Sequence, residues 1–134
     1  MRRLLPFTLL LLLATSCPRK AATLEVAPAA PTASGDPRAE LLAAVERIAQ
    51  RHHFTEFTLD GLNCTRSWRR PVLAGRGAGY DALLCAQYKL AGPVRVRVYD
   101  VVPANRAWTA PTDSLRLELV DSLGQWGNLK VSDR

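Results

Sequence analysis

Two alternating segments on either side of residues 91–93 constrain the fold of this 134-residue chain more than any other feature. At the end of residues 80–90, apolar residues alternate with Gln87 and Lys89, and at the start of residues 94–102 valines alternate with Arg95 and Arg97, as in half-buried strands. If residues 91–93 form a three-residue hairpin loop, Leu90 faces Val94 and the apolar sets of both segments share one side. A loop shorter by one residue would separate those sets, so the pattern predicts an antiparallel hairpin and its register.

An amphipathic helix is predicted from about Pro37 to His53. Asp36 is a suitable N-cap, and proline is favoured at the first helical position, where its missing N–H has no helical partner. The positions predicted to face inward recur at spacings of four, three and four residues, at Leu41, Val45, Ile48 and His52. This is the most regular helical pattern in the chain.

The remaining segments are shorter or ambiguous. Residues 54–60 alternate as a strand, residues 62–79 and 103–111 look like loops, and Leu129 with Val131 indicates a short last strand. Residues 115–120 alternate and favour a strand. A helix is the open alternative there, because Leu115, Leu119 and Leu123 also keep a helical period.

Together these segments predict a single small α+β domain over residues 36–134. In this domain, one N-terminal amphipathic helix packs on an antiparallel sheet of about four to five strands. The length suits one domain and not two.

Residues 1–16 have the pattern of a secretory signal peptide. Arg2 and Arg3 precede a leucine-dominated run from Leu4 to Ala14, which is too short to span a bilayer. Two of the 18 basic residues leave with this segment, so 16 basic and 12 acidic residues remain, a net charge of +4. This balance favours anionic surfaces as partners.

The segment Leu13-Ala14-Thr15-Ser16-Cys17 resembles the lipobox of bacterial lipoproteins. The resemblance covers only the export segment, and it implies that Cys17 is lipidated and becomes the mature N-terminus. The membrane is then a partner through palmitate-type acyl chains, and the protein belongs to the cell envelope. Pro18 stands where an Asp would favour retention at the inner membrane, so the resemblance favours the outer membrane, on its periplasmic or surface face.

Cys17, Cys64 and Cys85 are an odd set for an exported protein. If Cys17 carries lipid, Cys64 and Cys85 remain to form a disulfide in an oxidising compartment. The alternatives are a free thiol at Cys17 or a bond from Cys17 to one of the other two. A zinc site from Cys64, Cys85 and a histidine would need reduced thiols, so no metal and no cofactor is predicted.

Residues 17–35 are predicted to hold the lipidated cysteine and a flexible tether. The tether is rich in Ala, Pro and Thr, lacks aromatic residues and shows no sustained period. Fully extended, it would reach about 60 Å from the bilayer. The domain would then move freely within that radius of its anchor.

A basic face is the one specific binding hypothesis. In the predicted hairpin, Lys89 faces Arg95 across the strand pair, and directly opposed like charges are unfavourable. Cys85 projects from the same face, so its disulfide would bring the arginine-rich loop there. The predicted ligand-binding residues are Arg66, Arg69, Arg70, Lys89, Arg95 and Arg97. An anionic lipid, an acidic glycan or an acidic protein would relieve the repulsion, whereas a solvated basic face is the alternative.

No catalytic constellation is recognisable. His52 and His53 are adjacent in a predicted helix and therefore point about 100° apart, and no metal or nucleophile motif accompanies them. Nucleic acid would suit the charge, but the export signal places the protein in another compartment. The sequence therefore predicts a non-catalytic interaction or accessory domain with a possible envelope protein partner, or alternatively a binder of anionic envelope ligands.

Overall fold

The computed structural model describes residues 19–28, 33–58, 61, 63–71, 81–88 and 92–133. Within these residues, six strands form one antiparallel sheet and two helices pack on it. The elements are β1 (Arg19–Val26), α1 (Pro37–Arg51), β2 (Thr55–Glu56), β3 (Arg66–Pro71), β4 (Asp81–Gln87), β5 (Val94–Pro103), α2 (Ala110–Leu123) and β6 (Leu129–Asp133). The strand order across the sheet is β2-β3-β4-β5-β1-β6.

The predicted fold, with one N-terminal helix on four to five strands, is therefore wrong. A strand precedes the first helix, a second helix is present, and the described sheet has six strands. Both helices contribute their apolar side chains to one side of the sheet, where the core lies. The core side chains contributed by the sheet are Leu24, Val26, Trp68, Ala82, Leu84, Ala86, Val94, Val96 and Val98.

The largest correction concerns the predicted flexible tether, because Arg19–Val26 forms β1. Ala22, Leu24 and Val26 are fully buried, and β1 is hydrogen-bonded to β5 on one side and to β6 on the other. These three residues do alternate with more polar ones, but over only eight residues. Their apolar partners on β5 lie about 70 residues away in the sequence, so the local composition gave little indication of a strand.

The segment between the first helix and the central hairpin was also predicted incorrectly. In the described part of the segment expected to be a strand, residues 54–58, only Thr55–Glu56 forms one. In contrast, β3 forms inside the predicted loop of residues 62–79. Ser67 and Trp68 are buried there, but three arginines and a proline occupy the remaining positions of β3. Because of these charged residues, the segment was predicted to be a loop.

Helix α1 starts where the sequence predicts. The carboxylate of Asp36 accepts a hydrogen bond from the Arg38 backbone N–H at 3.0 Å, and Pro37 occupies the first turn. The helix ends at Arg51, two residues before the predicted end. His53 follows with a positive φ of 63°, a conformation that cannot continue a helix.

The alternation over residues 115–120 does not produce a strand, because Ala110–Leu123 forms α2. The buried residues of this helix are Thr112, Leu115, Leu119 and Leu123, at spacings of three, four and four. Leu117, the residue that made the strand pattern, is 54% exposed. The helical alternative is therefore the correct one.

The central hairpin forms with its predicted faces but with a different register. Arg95 pairs with Gln87 and not with Lys89, and Arg97 pairs with Cys85. This shift of two residues lengthens the connection between the strands. A shift of two keeps every side chain on its face, so the alternation of apolar residues cannot detect it.

The predicted disulfide is confirmed. Cys64 and Cys85 are bonded, with their Cα atoms 5.5 Å apart. Cys85 lies in β4 between Leu84 and Ala86, which face the core, and therefore projects from the opposite side of the sheet. The bond holds the segment before β3 against that side.

Glu118 joins the two helices. Its carboxylate accepts hydrogen bonds from the Arg51 guanidinium, with Nε at 2.9 Å, and it also bonds His52 at the end of α1. These bonds, first from His52 and then from Arg51, lower the pKa of Glu118 below its usual value. Its carboxylate therefore contributes stability in the ionised form.

This arrangement predicts a pH-dependent stability difference. A carboxylate whose pKa is lowered in the folded state contributes fully above its unfolded pKa of about 4.5 and loses the contribution as the pH falls through the folded value. We expect Glu118→Gln to lower the free energy of unfolding by up to about 1 kcal/mol at pH 7, because the side chains are partly exposed. Urea unfolding at pH 7 and pH 3 measures the difference, which should shrink at pH 3. Asp121→Asn, an exposed change on the same helix, is the control, and an equal loss from Glu118→Gln at both pH values would contradict this role.

Candidate ligand-binding face

The side of the sheet away from the helices carries the candidate site. On β3 and β4 this side is covered in part, because Cys64 is bonded to Cys85 and the ring of Phe57 lies against Arg69. On β5, β1 and β6 no described helix or strand packs over it. We call this part the open face, and its side chains are Arg95, Arg97, Tyr99, Ala21, Thr23, Glu25, Lys130 and Ser132.

The first row of residues across the open face holds one acidic residue between two basic ones. Arg95 on β5 faces Glu25 on β1, which in turn faces Lys130 on β6. The guanidinium of Arg95 lies 3.4 Å from the carboxylate of Glu25. Opposite charges facing each other across strands stabilise a sheet. Glu25 therefore pairs with basic residues of its own row and stabilises the sheet.

The second row contains one cation and no acid. Arg97 lies between Cys85 on β4 and Thr23 on β1, and Thr23 faces Ser132 on β6. Among the described residues, Arg97 has no ion pair. Its neighbours in the row offer hydroxyl groups and a disulfide, so no neighbour in the row neutralises its charge.

The third row leaves space beside that cation. Tyr99 on β5 faces Ala21 on β1, so a large side chain stands opposite a single methyl group. A hollow of about 170 Å³ results, lined by Ala21, Thr23, Arg97, Tyr99 and Ser132. These described residues contribute one guanidinium, one phenol and two aliphatic hydroxyls, and no carboxylate.

Arg66, the first of the predicted binding residues, forms ion pairs within the domain. Its guanidinium binds both carboxylate oxygens of Glu56, each at 2.9 Å, and lies 2.8 Å from a carboxylate oxygen of Glu46 on α1. It also stacks on Trp68, 5.0 Å from the ring centroid. These bonds lower the pKa of Glu56 and raise that of Arg66. Two acids already neutralise this arginine.

The other predicted residues divide among several places. Arg69 lies on the outer side of β3, 3.7 Å from Asp81, and Arg70 points to the side of the sheet that holds the helices. Arg95 and Arg97 lie on the open face. Lys89 and the lipidation residue Cys17 lie outside the described residues.

The prediction of one continuous basic face is therefore wrong. Alternation along β3 sends Arg66 and Arg70 to one side and Arg69 to the other. The repulsion that motivated the prediction is also absent at Arg95, since Gln87 and Glu25 are its partners. Strand β1, which was predicted as part of the tether, supplies the anion. Of the predicted residues that the structure describes, only Arg97 lies on the open face without an acidic partner.

Sequence reasoning missed the residues that surround Arg97. Ala21 and Thr23 lie in the segment predicted to be a tether, and Ser132 lies on the last strand. The alternation of Ala22, Leu24 and Val26 was the available signal. Taken as a strand, it would have placed Ala21 and Thr23 together on the side away from the core.

Two further groups of polar residues lie outside the open face in the described part of the chain. His52 bonds Glu118, while His53 is exposed. A second hollow, of about 400 Å³, lies beside the disulfide, and its charged groups, Glu56 and Arg66, bind each other. Within the described ranges, no three His, Cys, Asp or Glu side chains are grouped to hold a metal ion.

Neither described helix has the length and apolar character needed to cross a bilayer. Comparison with known proteins gives no family for this chain: no protein-family model matches it, and neither does any curated protein sequence. The candidate site therefore rests on the geometry and chemistry described above.

Proposed function

We propose that this protein is a lipid-anchored lipoprotein of the bacterial cell envelope whose small domain acts without catalysis, by binding an envelope partner through the open face. The lipobox-like segment ending at Cys17 supports the anchor. As the sequence predicts, the outer membrane is the favoured location. The second candidate, binding of anionic envelope ligands, is now restricted to the surroundings of Arg97.

The observation that carries the proposal is the uncovered half of the sheet. Both helices pack on the core side, and no described element covers β5, β1 and β6 on the other side. An uncovered face of polar and aromatic side chains on a rigid sheet offers contact area whose backbone is already ordered, so binding costs only the freedom of the side chains. Strands β5 and β1 each lie between two other strands of the sheet, which fix the positions of their side chains.

The position of β1 determines how near the domain would lie to its membrane anchor. Cys17 precedes Arg19 by two residues, so the start of β1 lies at most about 7 Å from the cysteine along the chain. The long reach of the predicted tether is therefore replaced by a short link. A partner in the same membrane would meet the domain at the bilayer surface.

Photo-cross-linking in living cells tests this function. A photoreactive amino acid at Thr23 or Ser132 places the probe on the open face, and one at Gln50, exposed on α1, provides the matched control. We expect the same captured envelope component from both open-face positions and at least about fivefold less from Gln50, because only the open face should be within contact distance. Mass spectrometry identifies the component.

Cys17→Ser tests the anchor in the same cells. We expect this variant to leave the membrane fraction, to lose incorporation of labelled palmitate, and to lose most of the cross-linked product. Equal capture from Thr23, Ser132 and Gln50 would contradict the role of the open face. Membrane retention and acyl labelling of Cys17→Ser would contradict the anchor.

A further inference from the structure

We infer that the hollow beside Arg97 is a binding subsite for a single tetrahedral oxyanion, a phosphate-type group, held by Arg97 with the hydroxyl groups of Thr23, Tyr99 and Ser132. The inference deepens the proposed function, on which it rests, because the subsite lies within the open face. It assigns the ligand chemistry of that face. It also differs from the predicted basic face, since it requires one arginine rather than six residues.

The donor set suits an oxyanion. A guanidinium offers several N–H groups in a planar fork, which matches two oxygens of a phosphate. The hydroxyl groups of Tyr99, Thr23 and Ser132 can each donate one further hydrogen bond. Among the described residues, none with a carboxylate lines the hollow to repel an anion.

Arg97 contrasts with three other residues of the predicted binding set. Arg66 binds Glu46 and Glu56, Arg69 lies near Asp81, and Arg95 faces Glu25. Each of them therefore has an acidic partner within the domain. Arg97 is held between two flanking strands without such a partner among the described residues, so its charge remains available to a ligand.

The shape of the hollow limits the ligand to a small group. Ala21 faces Tyr99, and its short side chain leaves the space between the phenol and Arg97. The volume of about 170 Å³ is below the range of about 300–1,000 Å³ typical of pockets that enclose a drug-sized molecule. The subsite therefore takes one phosphate-type group, and the rest of a larger ligand would lie outside it.

The test uses the full-length protein purified in a nonionic detergent and titrated with inorganic phosphate at constant ionic strength. Nuclear magnetic resonance follows the backbone amides and the Arg97 side chain. We expect saturable shifts centred on Ala21, Thr23, Arg97, Tyr99 and Ser132. Two variants probe the site: Arg97→Gln removes the charge, and Ala21→Leu fills the hollow without changing the charge.

We expect each variant to weaken phosphate binding by about tenfold or more, because charge-assisted hydrogen bonds are lost or blocked. Arg47→Gln, at an exposed arginine of α1, is the matched control and should bind phosphate unchanged. Spectra of all variants also report whether each one is folded. Tyr99→Phe, which keeps the ring, gives a second measure of the site if Arg97→Gln perturbs the sheet.

The inference would be overturned if phosphate caused shifts of similar size around Arg47 and Arg97 and if Ala21→Leu had no effect. Such a result would mean that phosphate is attracted to any exposed arginine. An absence of shifts with inorganic phosphate, together with vesicle binding that does not depend on Arg97, would also overturn it. Two further measurements show whether the phosphate-type group belongs to a lipid or to a soluble ligand. In the Cys17→Ser variant, which lacks the proposed acyl anchor, Arg97-dependent binding to vesicles of phosphatidylglycerol and phosphatidylcholine, but not of phosphatidylcholine alone, indicates a lipid headgroup. Binding of inorganic phosphate without vesicle binding indicates a soluble oxyanion.

The two proposals fail in different ways. If Thr23 and Ser132 capture a partner but neither inorganic phosphate nor anionic vesicles bind in an Arg97-dependent way, the subsite is wrong and the partner-binding function stands. If phosphate binds beside Arg97 but the cross-linking yields are equal on both sides of the domain, the partner-binding function is wrong and the subsite stands.

Discussion

Leu24→Ala should destabilise the domain by about 2–5 kcal/mol, the range measured when a buried leucine is truncated and its cavity cannot fully collapse. Leu24 is fully buried in β1, with Val96 on one side and Val131 on the other. Urea unfolding of the purified protein, followed by tryptophan fluorescence, measures the loss.

Thr23→Ala provides the control on the same strand. Its side chain lies on the open face, so we expect a change below about 1 kcal/mol. The comparison decides between the two descriptions of this segment. If residues 17–35 were a flexible tether, both substitutions would leave the unfolding midpoint unchanged, and that result would refute the position of β1.

Removal of the disulfide is the second large effect. Combining Cys64→Ser with Cys85→Ala should lower the free energy of unfolding by about 3 kcal/mol, because the bond closes a loop across a sequence separation of 21 residues and restricts the unfolded chain. Alanine suits position 85, where the native side chain is only 1% exposed. For a domain of this size the melting temperature should fall by roughly 10–20 °C.

A reducing agent supplies the control for this prediction. Dithiothreitol should lower the melting temperature of the native protein towards that of the double variant and leave the variant unchanged. If the reductant shifted both proteins equally, it would be acting elsewhere. If the double variant melted at the native temperature, the bond would contribute no stability.

Strong local patterns predicted the parts of the fold that they cover. Asp36-Pro37 and the inward positions that follow specify the start of α1, and the alternation around residues 91–93 specifies which side chains of β4 and β5 face the core. Where the deciding contact is distant, the sequence was less informative. Leu24 becomes a core residue through Val96, and Trp68 through Leu84, neither of which is near it in the sequence.

The candidate site was predictable only in part, for the same reason. Arg97 was identified from its place on the outer side of a strand. Which arginines remain without an acidic partner depends on where Glu25, Glu46, Glu56 and Asp81 lie in space. The hairpin register could not be found from alternation, and a shift of two residues changed the partner of Arg95 from Lys89 to Gln87. Charge counting along the sequence therefore overestimated the basic face.

The position of β1 has a mechanical consequence. If Cys17 carries the lipid, any force that drags the domain away from the bilayer acts along β1, which begins two residues later. Antiparallel hydrogen bonds run perpendicular to the strands, so a lengthwise pull loads the bonds to β5 and β6 together rather than one after another. To pull β1 out of the sheet, such a force would have to break its hydrogen bonds to β5 and β6 at the same time. An anchor at this strand would therefore resist a pulling force better than an anchor at a loop.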